Sequence, residues 1–239
     1  MIKLNPNNSN CSNCSTTNCF IKKHCSEEYI KLINDKKQCS VYRKNQHIVT
    51  EGNPVLGLYF IQKGKVKIVS TGIENKEQVV RLTKNSDIIG HRGYGGEKYP
   101  ISAIALEDST ICFIDNQTIY DTFIDNPLLT FELMMYYSKE LRKSESKIKI
   151  LAQMNVREKV AYSLLTYQSA SNSPIKTPLK IALSRKDLAS ITGINTEQLS
   201  RVLSEFKKEN MISISKNEIS IDNLEMLTKL IAPFGTIEY

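Results

Sequence analysis

Between Ser40 and Ile114 the chain alternates apolar and polar positions with a period of two. VYRKNQHIV, LGLYFIQKGKVKIVS, EQVVRLT, DIIG, ISAIALE and STICFID read as short strands. Gly52, Gly57, Gly64, Gly72, Gly90 and the Gly93–Gly96 loop separate them. Many short strands with glycine at the corners predict a small antiparallel barrel or roll, a fold whose interior can host a ligand. Upstream, residues 26–37 (SEEYIKLINDKK) predict one short amphipathic helix with Tyr29, Ile30 and Ile33 on one side. Residues 1–10 are Asn-rich and expected to be mobile.

Beyond the strands the period becomes 3.6. Ile119 to Asn155 reads as helical, with a break at Asn126-Pro127. From Leu128 the helix is long. Met134, Leu141, Ile148 and Asn155 fall at heptad spacing, with Tyr137, Ser144 and Leu151 as the second position. That pattern predicts a short dimer seam, most simply between two parallel copies. Ser144, set among the charges of RKSESK, weakens it, and a weak seam can be a regulatory point. The alternative is a helix packed only on its own domain. Val156 to Ser169 follows as a helix with Val160, Ala161, Leu164 and Leu165 inward. ASNSPIKTPLK (170–180) reads as a loop with two prolines.

Leu183 to Ile212 has the pattern of a helix-turn-helix. Ser184 can cap a first helix, with Asp187 in its first turn and Leu188 and Ala189 inward. Gly193 supplies the turn. A second helix starts at Asn195 or Thr196 and places Leu199, Val202, Leu203 and Phe206 on one face. Thr196, Glu197, Ser200 and Arg201 are left on the other face, suited to reading base edges in the major groove of double-stranded DNA. The plain alternative is a helical hairpin with a solvated face. MISISKNEISI then alternates around Lys216-Asn217, predicting a hairpin. A hairpin after a recognition helix is a wing, and Lys216 at its tip is placed to touch phosphates. NLEMLTKLI closes the chain as a helix. The expected layout is a cysteine-rich segment (1–27), a sheet domain (28–127), a dimerisation helix (128–155) and a winged helix-turn-helix (156–239), an α+β protein.

Composition changes this picture little. The 239 residues suffice for two domains, and 41% hydrophobic content is ordinary. No apolar run approaches a membrane span, and the polar start MIKLNPNNSN has no signal-peptide core. Cytoplasmic placement is expected, with no membrane partner. Net charge is +7, yet from Val156 onward there are 11 Lys and Arg against 9 Asp and Glu, leaving 21 against 16 elsewhere. The DNA expectation therefore rests on the helix-turn-helix pattern rather than on basicity.

The cysteines add chemistry. Cys11, Cys14, Cys19 and Cys25 lie within 15 residues, and Cys39 and Cys112 complete the six. In a reducing compartment such crowding points to metal ligands over disulfides. Soft thiolates select zinc or iron–sulfur. A zinc knot of Cys11, Cys14, Cys19 and Cys25 is one option and a thiol redox switch another. Cys39, with no cysteine near it in sequence, reads as a small buried hydrophobe.

In this order, roll, long helix and winged helix-turn-helix, the chain resembles the CRP/FNR family of bacterial transcription regulators. GLYFIQKGKVKI is similar to the signature of the family's cyclic-nucleotide-binding-type β-roll, and TEQLSRVLSEFKKENMI to its recognition helix. Cyclic-nucleotide binders of the family carry Gly-Glu-Leu and Arg-Ser-Ala segments. Here these read Gly90-His91-Arg92 and Ile101-Ser102-Ala103, and no cyclic nucleotide is expected because an apolar Ile101 cannot neutralise a buried phosphate. The FNR branch holds a [4Fe-4S] cluster on three N-terminal cysteines and a fourth on a strand. STICFID places Cys112 at that strand position. The resemblance then implies Cys11, Cys14, Cys19 and Cys112 as ligands, with Cys25 competing for the third place because the family's usual gap before it is one residue longer. It also implies a homodimer, RNA polymerase as a partner, an oxygen or nitric oxide signal, and an inverted repeat of TTGA-type half-sites read by Glu197, Ser200 and Arg201.

Two rivals remain at this level. One is a regulator of the same family sensing by zinc, thiols, haem or an organic ligand in the roll. His91 is the best haem candidate among His24, His47 and His91. The other is an enzyme, for which no phosphate loop, GxSxG or HExxH exists in the chain. No catalytic residue is expected.

Overall fold

The structure, a computed structural model, describes residues 2–3, 10–11, 13–170, 179–181, 183–215 and 218–235. Two compact units are present: residues 1–73 with 83–139, and residues 74–82 with 140–239.

The alternating stretches form strands as expected. β1 is Ile2–Lys3, β2 Gln38–Tyr42, β3 His47–Val49, β4 Gly57–Lys63, β5 Val66–Thr71, β6 Glu77–Thr83, β7 Ile88–Ile89, β8 Ser102–Ala105 and β9 Ser109–Asp115. One sheet has the order β1-β2-β9-β4-β7 and the other β3-β8-β5-β6. The pairings are antiparallel, with β9 between β2 and β4. Gly57 allows the close approach of β4 to the end of β9, because a Cβ there would meet the Ile114 carbonyl oxygen at 2.1 Å. The expected mobility of residues 1–10 is corrected at its start: Ile2 and Lys3 extend the first sheet by pairing with Val41 and Ser40. Extended backbone at a sheet edge gains ladder hydrogen bonds whatever its local composition.

Two helices precede the roll, α1 (Phe20–His24) and α2 (Glu27–Lys36). Sequence periodicity finds α2 and misses α1, whose five residues span little more than one turn. Phe20 and Ile21 of α1 nevertheless enter a core with Ile33, Leu58, Phe60, Ile88, Ile114 and Ile119.

After β9, Asp115 caps α3 (Asn116–Asp125) by accepting from the Thr118 N–H. α4 (Pro127–Gln153) follows, with proline at its first position, where no intrahelical donor is missed. The helix ends before Asn155, whose side chain instead accepts from the Glu158 N–H at the start of α5 (Val156–Ala170). Asn155 thus leaves the heptad pattern because its short amide is a better helix cap than a helix interior residue. Met134, Leu141 and Ile148 are 56%, 61% and 71% exposed in the single chain. Tyr137 turns the other way and donates from its hydroxyl to the His91 carbonyl of its own unit.

In the second unit α5 buries Val160, Ala161, Leu164 and Leu165 against α6 (Arg185–Thr192), α7 (Thr196–Lys208) and α8 (Leu224–Ile231). A three-stranded sheet of order β10-β12-β11 completes it, from Leu179–Ile181, Glu218–Ile221 and Ile212–Ser215. β10 corrects the reading of 170–180 as a loop. Leu179 to Ile181 pair with Ile221 to Ile219, so the wing hairpin gains a third strand. A three-residue strand after a proline-rich stretch is too short to show a period.

Candidate functional site

The cysteine segment is fastened to its unit at several points. Cys11 N–H donates to the Asn34 side chain of α2 at 2.9 Å. The Cys14 N–H closes a turn onto the Cys11 carbonyl, and Lys22 Nζ donates to the Cys14 carbonyl at 3.0 Å. Thr16 Oγ1 donates to the Gln62 carbonyl of β4 at 2.8 Å. Cys19 is the N-cap residue of α1. Below it, Phe20 meets Tyr136 of α4 edge-on at 6.2 Å between centroids, and His24 lies 3.8 Å from Glu132. Phe20→Ala removes this buried ring and is expected to cost about 3 kcal/mol, read as a lower urea midpoint at unchanged slope.

This fastening makes a cavity of about 450 Å³ including its open mouth. Cys11, Cys14, Cys19 and Cys112 line it, over an apolar floor that includes Ile21, Ile33, Phe60 and Ile114. Cys25 is not among the lining residues. It caps the end of α1, and burial pushes its thiol up to about 11. Burial likewise raises Cys19. Two cations stand at the wall, Lys22 and Lys37. Lys37 Nζ donates to Cys11 Sγ at 2.8 Å. Burial alone would lower the Lys37 ammonium, but the sulfur contacts leave it raised. Gln62 Nε2 donates to Cys14 Sγ at 3.4 Å, while its Oε1 is buried with no hydrogen-bond partner among the described residues.

Cys112 has a neighbour that sequence reasoning missed. Strand register sets Cys39 of β2 directly opposite it, with the two sulfurs 2.7 Å apart. Cys39 is buried, in keeping with its reading as a small buried hydrophobe, and it also lies beside a thiol 73 residues away in sequence. The shared proton holds Cys112 up and Cys39 down, with burial adding to the first and Lys37 to the second.

The residues suit an iron–sulfur cluster by donor chemistry. Four thiols share one pocket, the floor is apolar, and two ammonium groups can offset part of the charge of four thiolates. Among the described residues, no three His, Cys, Asp or Glu converge closely enough to grip a single metal ion.

His91 is buried, its Nδ1 3.1 Å from the Ile88 carbonyl and its ring enclosed edge-on by Tyr136 and Tyr137. Arg92 is exposed and Ile101 buried. Tyr99 packs against Gly90 and Gly93, and its hydroxyl donates to the Gly57 carbonyl at 2.8 Å.

In the second unit the helix-turn-helix is built by local capping. Ser184 accepts from the Asp187 N–H. Gly193 adopts the left-handed φ of 71° that ends α6. Asn195 and Gln198 form a capping box at the start of α7. Leu199, Val202, Leu203 and Phe206 are buried, while Thr196, Glu197 and Arg201 are exposed and Ser200 is partly so. From α5, Arg157 lies over the Phe206 ring at 4.8 Å and reaches Glu205 and Glu209 at 3.3 and 2.5 Å, tying α5 to α7. Arg185 of α6 donates to Ser200 Oγ at 3.4 Å, adding a cation to the outer face that sequence spacing did not single out. Lys216, expected at the wing tip, lies outside the described residues.

Known proteins place both units. Residues 40–126 match the model of the cyclic nucleotide-binding domain, and residues 158–230 that of the Crp-like helix-turn-helix domain. The fumarate and nitrate reduction regulatory protein of Yersinia pestis is 26% identical over 226 residues, covering 92% of this chain and 89% of its own. Regulatory protein HlyX of Actinobacillus pleuropneumoniae is 27% identical over 221 residues, covering 91% and 92%. The chain belongs to the CRP/FNR family of transcription regulators. Among solved structures of the same fold, FixK2 from Bradyrhizobium japonicum superposes with a TM-score of 0.70 at 20% identity, covering 81% of this chain and 96% of its own. A putative CRP/FNR-family regulator from Eubacterium rectale gives 0.72 at 18%, covering 88% and 97%. As a CRP/FNR regulator the chain is a DNA-binding protein. No helix among its described residues is long and apolar enough to cross a membrane.

Proposed function

We propose that this CRP/FNR regulator works as a homodimer on inverted TTGA-type half-sites under the control of a [4Fe-4S] cluster on Cys11, Cys14, Cys19 and Cys112. The observation that carries the reading is the shared cavity: thiols from a loop, a helix cap and a central strand face one space, and Cys25 lies outside it. A zinc knot needs four sulfurs about 2.3 Å from one point. Sulfurs spread over the walls of a pocket suit a cluster, which takes its four thiolates at separate corners.

When bound, the cluster supplies the reactivity with oxygen or nitric oxide that makes the protein a sensor. The chain does the rest. Lys37 and Gln62 donate to sulfur, which tunes how tightly electron density is held there. Ile21, Phe60 and Ile114 limit water. Phe20 and His24 connect the segment to Tyr136 and Glu132 of α4, so a displaced segment releases contacts on the helix that carries the exposed Met134, Leu141 and Ile148. That apolar row is the proposed dimer seam. Ser144, whose hydroxyl turns back to the Glu140 carbonyl, and half-buried Leu151 contribute less to it. Two paired chains set their recognition helices roughly 34 Å apart, one turn of DNA. A coupling of about 3 kcal/mol between cavity and seam changes DNA affinity on the order of 150-fold. The buried Ile101, with Tyr99 filling the space beside Gly90, supports a roll that does not take a cyclic nucleotide. RNA polymerase is the expected partner of the DNA-bound dimer.

Purification without oxygen, with iron and sulfide assays, tests the sensor. About four of each per chain, with a visible band that bleaches in air, is expected; a colourless protein holding one zinc overturns it. At the DNA end, Arg201 is expected to make a bidentate contact with guanine, and Glu197 to accept from cytosine. Arg201→Ala is expected to weaken binding to the TTGA repeat by about 1–3 kcal/mol and to relax one base position. Equal losses on the repeat and on scrambled DNA, in gel shifts at one salt concentration, sink that assignment.

A further inference from the structure

We propose that Cys39 and Cys112 form a reversible cross-strand redox pair, in which a disulfide withdraws Cys112 from the cysteine-lined cavity. The role of Cys112 as a ligand rests on the function proposed above; the disulfide itself does not.

Geometry carries the case. Cys39 and Cys112 are partners in the β2–β9 register, flanked by the pairs Gln38–Phe113 and Ser40–Ile111. Directly opposed residues of an antiparallel pair have Cα atoms about 4.5–5.5 Å apart, inside the ~4.4–6.8 Å that a disulfide spans. The sulfurs already touch at 2.7 Å. All six cysteines are thiols here. Neither strand has to move far, and β9 is held on its other edge by β4.

The two sulfurs differ in access. Cys112 lines the cavity, whereas Cys39 is buried behind it and absent from the lining. An oxidant of the peroxide class entering the cavity meets Cys112 first. The Cys112 thiol gives up its proton as its sulfur attacks a peroxide oxygen, the O–O bond breaks, and that proton leaves with the departing hydroxide as one water, so that a sulfenic acid remains. Cys39 then displaces the hydroxyl as a second water and closes the S–S bond. Two thiols lose two electrons and two protons, and hydrogen peroxide becomes two waters. A dithiol reductant reverses the step by exchange. The disulfide leaves the cavity with Cys11, Cys14 and Cys19, one short of four. A chain that has lost its cluster under peroxide then stays unable to rebuild it until reduced.

The test uses the full-length, reduced, metal-free protein. It is treated with hydrogen peroxide, alkylated, digested and mapped by mass spectrometry. The expected result is a Cys39–Cys112 linked peptide that disappears with dithiothreitol, and a loss of about two alkylatable thiols per chain. Disulfides among Cys11, Cys14, Cys19 and Cys25 with Cys39 left alkylated overturn the proposal. Cys39→Ser separates it from the cluster reading. Given arsenite after peroxide, which returns a sulfenic acid to the thiol but leaves a disulfide intact, and then ferrous iron and sulfide, wild type is expected to lose iron uptake and Cys39→Ser to keep it. Equal uptake by both overturns the latch. The linked peptide in a wild-type chain that never takes up iron supports the pair and overturns the cluster reading alone.

Discussion

Cys112→Ser is expected to abolish iron and sulfide uptake on anaerobic reconstitution, where the unaltered chain takes up about four of each. Serine keeps the shape of the side chain but offers a hard, protonated oxygen in place of a thiolate. The other thiols of the cavity come from one stretch outside the strand ladders, Cys11 to Cys19, whereas Cys112 stands on β9 between β2 and β4. It is the one donor fixed by two strand ladders, so no rearrangement of the loop replaces it. Cys25→Ser is the matching control. Cys25 packs against the apolar core outside the cavity, and its loss is expected to leave iron content unchanged. The reverse pattern, with iron lost in Cys25→Ser and kept in Cys19→Ser, moves the third ligand to Cys25. Thermal unfolding of Cys112→Ser is expected to stay near that of the unaltered apoprotein, which separates ligand loss from misfolding.

Ile148→Glu is expected to split the dimer while leaving each chain folded. Ile148 is 71% exposed in the single chain, so a carboxylate there is solvated and costs the monomer little. In a two-fold seam the substitution occurs on both helices. Removing one buried aliphatic from each side loses about 3–6 kcal/mol of apolar burial per dimer. That weakens association by roughly 10²–10⁴-fold. Sedimentation at micromolar concentration is expected to move from two chains to one, and binding to the paired half-sites to fall with it, while the far-ultraviolet spectrum is unchanged. A dimer that persists would place the interface elsewhere than on the Met134, Leu141 and Ile148 row. Tyr137→Phe is a useful contrast, because that hydroxyl is committed to the His91 carbonyl inside its own unit.

Much of the fold was legible in the chain because it depends on neighbours a few residues apart. Alternation between Ser40 and Ile114 marked the strands of the roll, since side chains on a strand repeat every second residue. Ser184, Gly193 and the Asn195–Gln198 box act within one turn of the helices they begin or end, so the helix-turn-helix could be read directly. The buried row Leu199, Val202, Leu203 and Phe206 follows from helical spacing alone. The candidate cavity was legible in part. The crowding of Cys11, Cys14 and Cys19 is local, but linking them to Cys112 required resemblance to a family. Nothing within ten residues of Cys112 announces it.

Each element, its apolar face and its caps follow from short-range sterics and hydrogen bonds between neighbours in the chain, and so are written in the residue order alone. Tertiary structure decided which distant residues meet. Strand register put Cys39 against Cys112 across 73 residues. Packing drew Phe20 and Ile21 of a five-residue helix into a core that no periodicity could reveal. It turned Tyr137 toward His91 while Met134, Leu141 and Ile148 stayed exposed, a choice that heptad spacing leaves open. It carried Arg185 to Ser200 across the turn between two helices. Each of these contacts depends on long-range burial and pairing, whose energy is realised only once the chain has closed on itself.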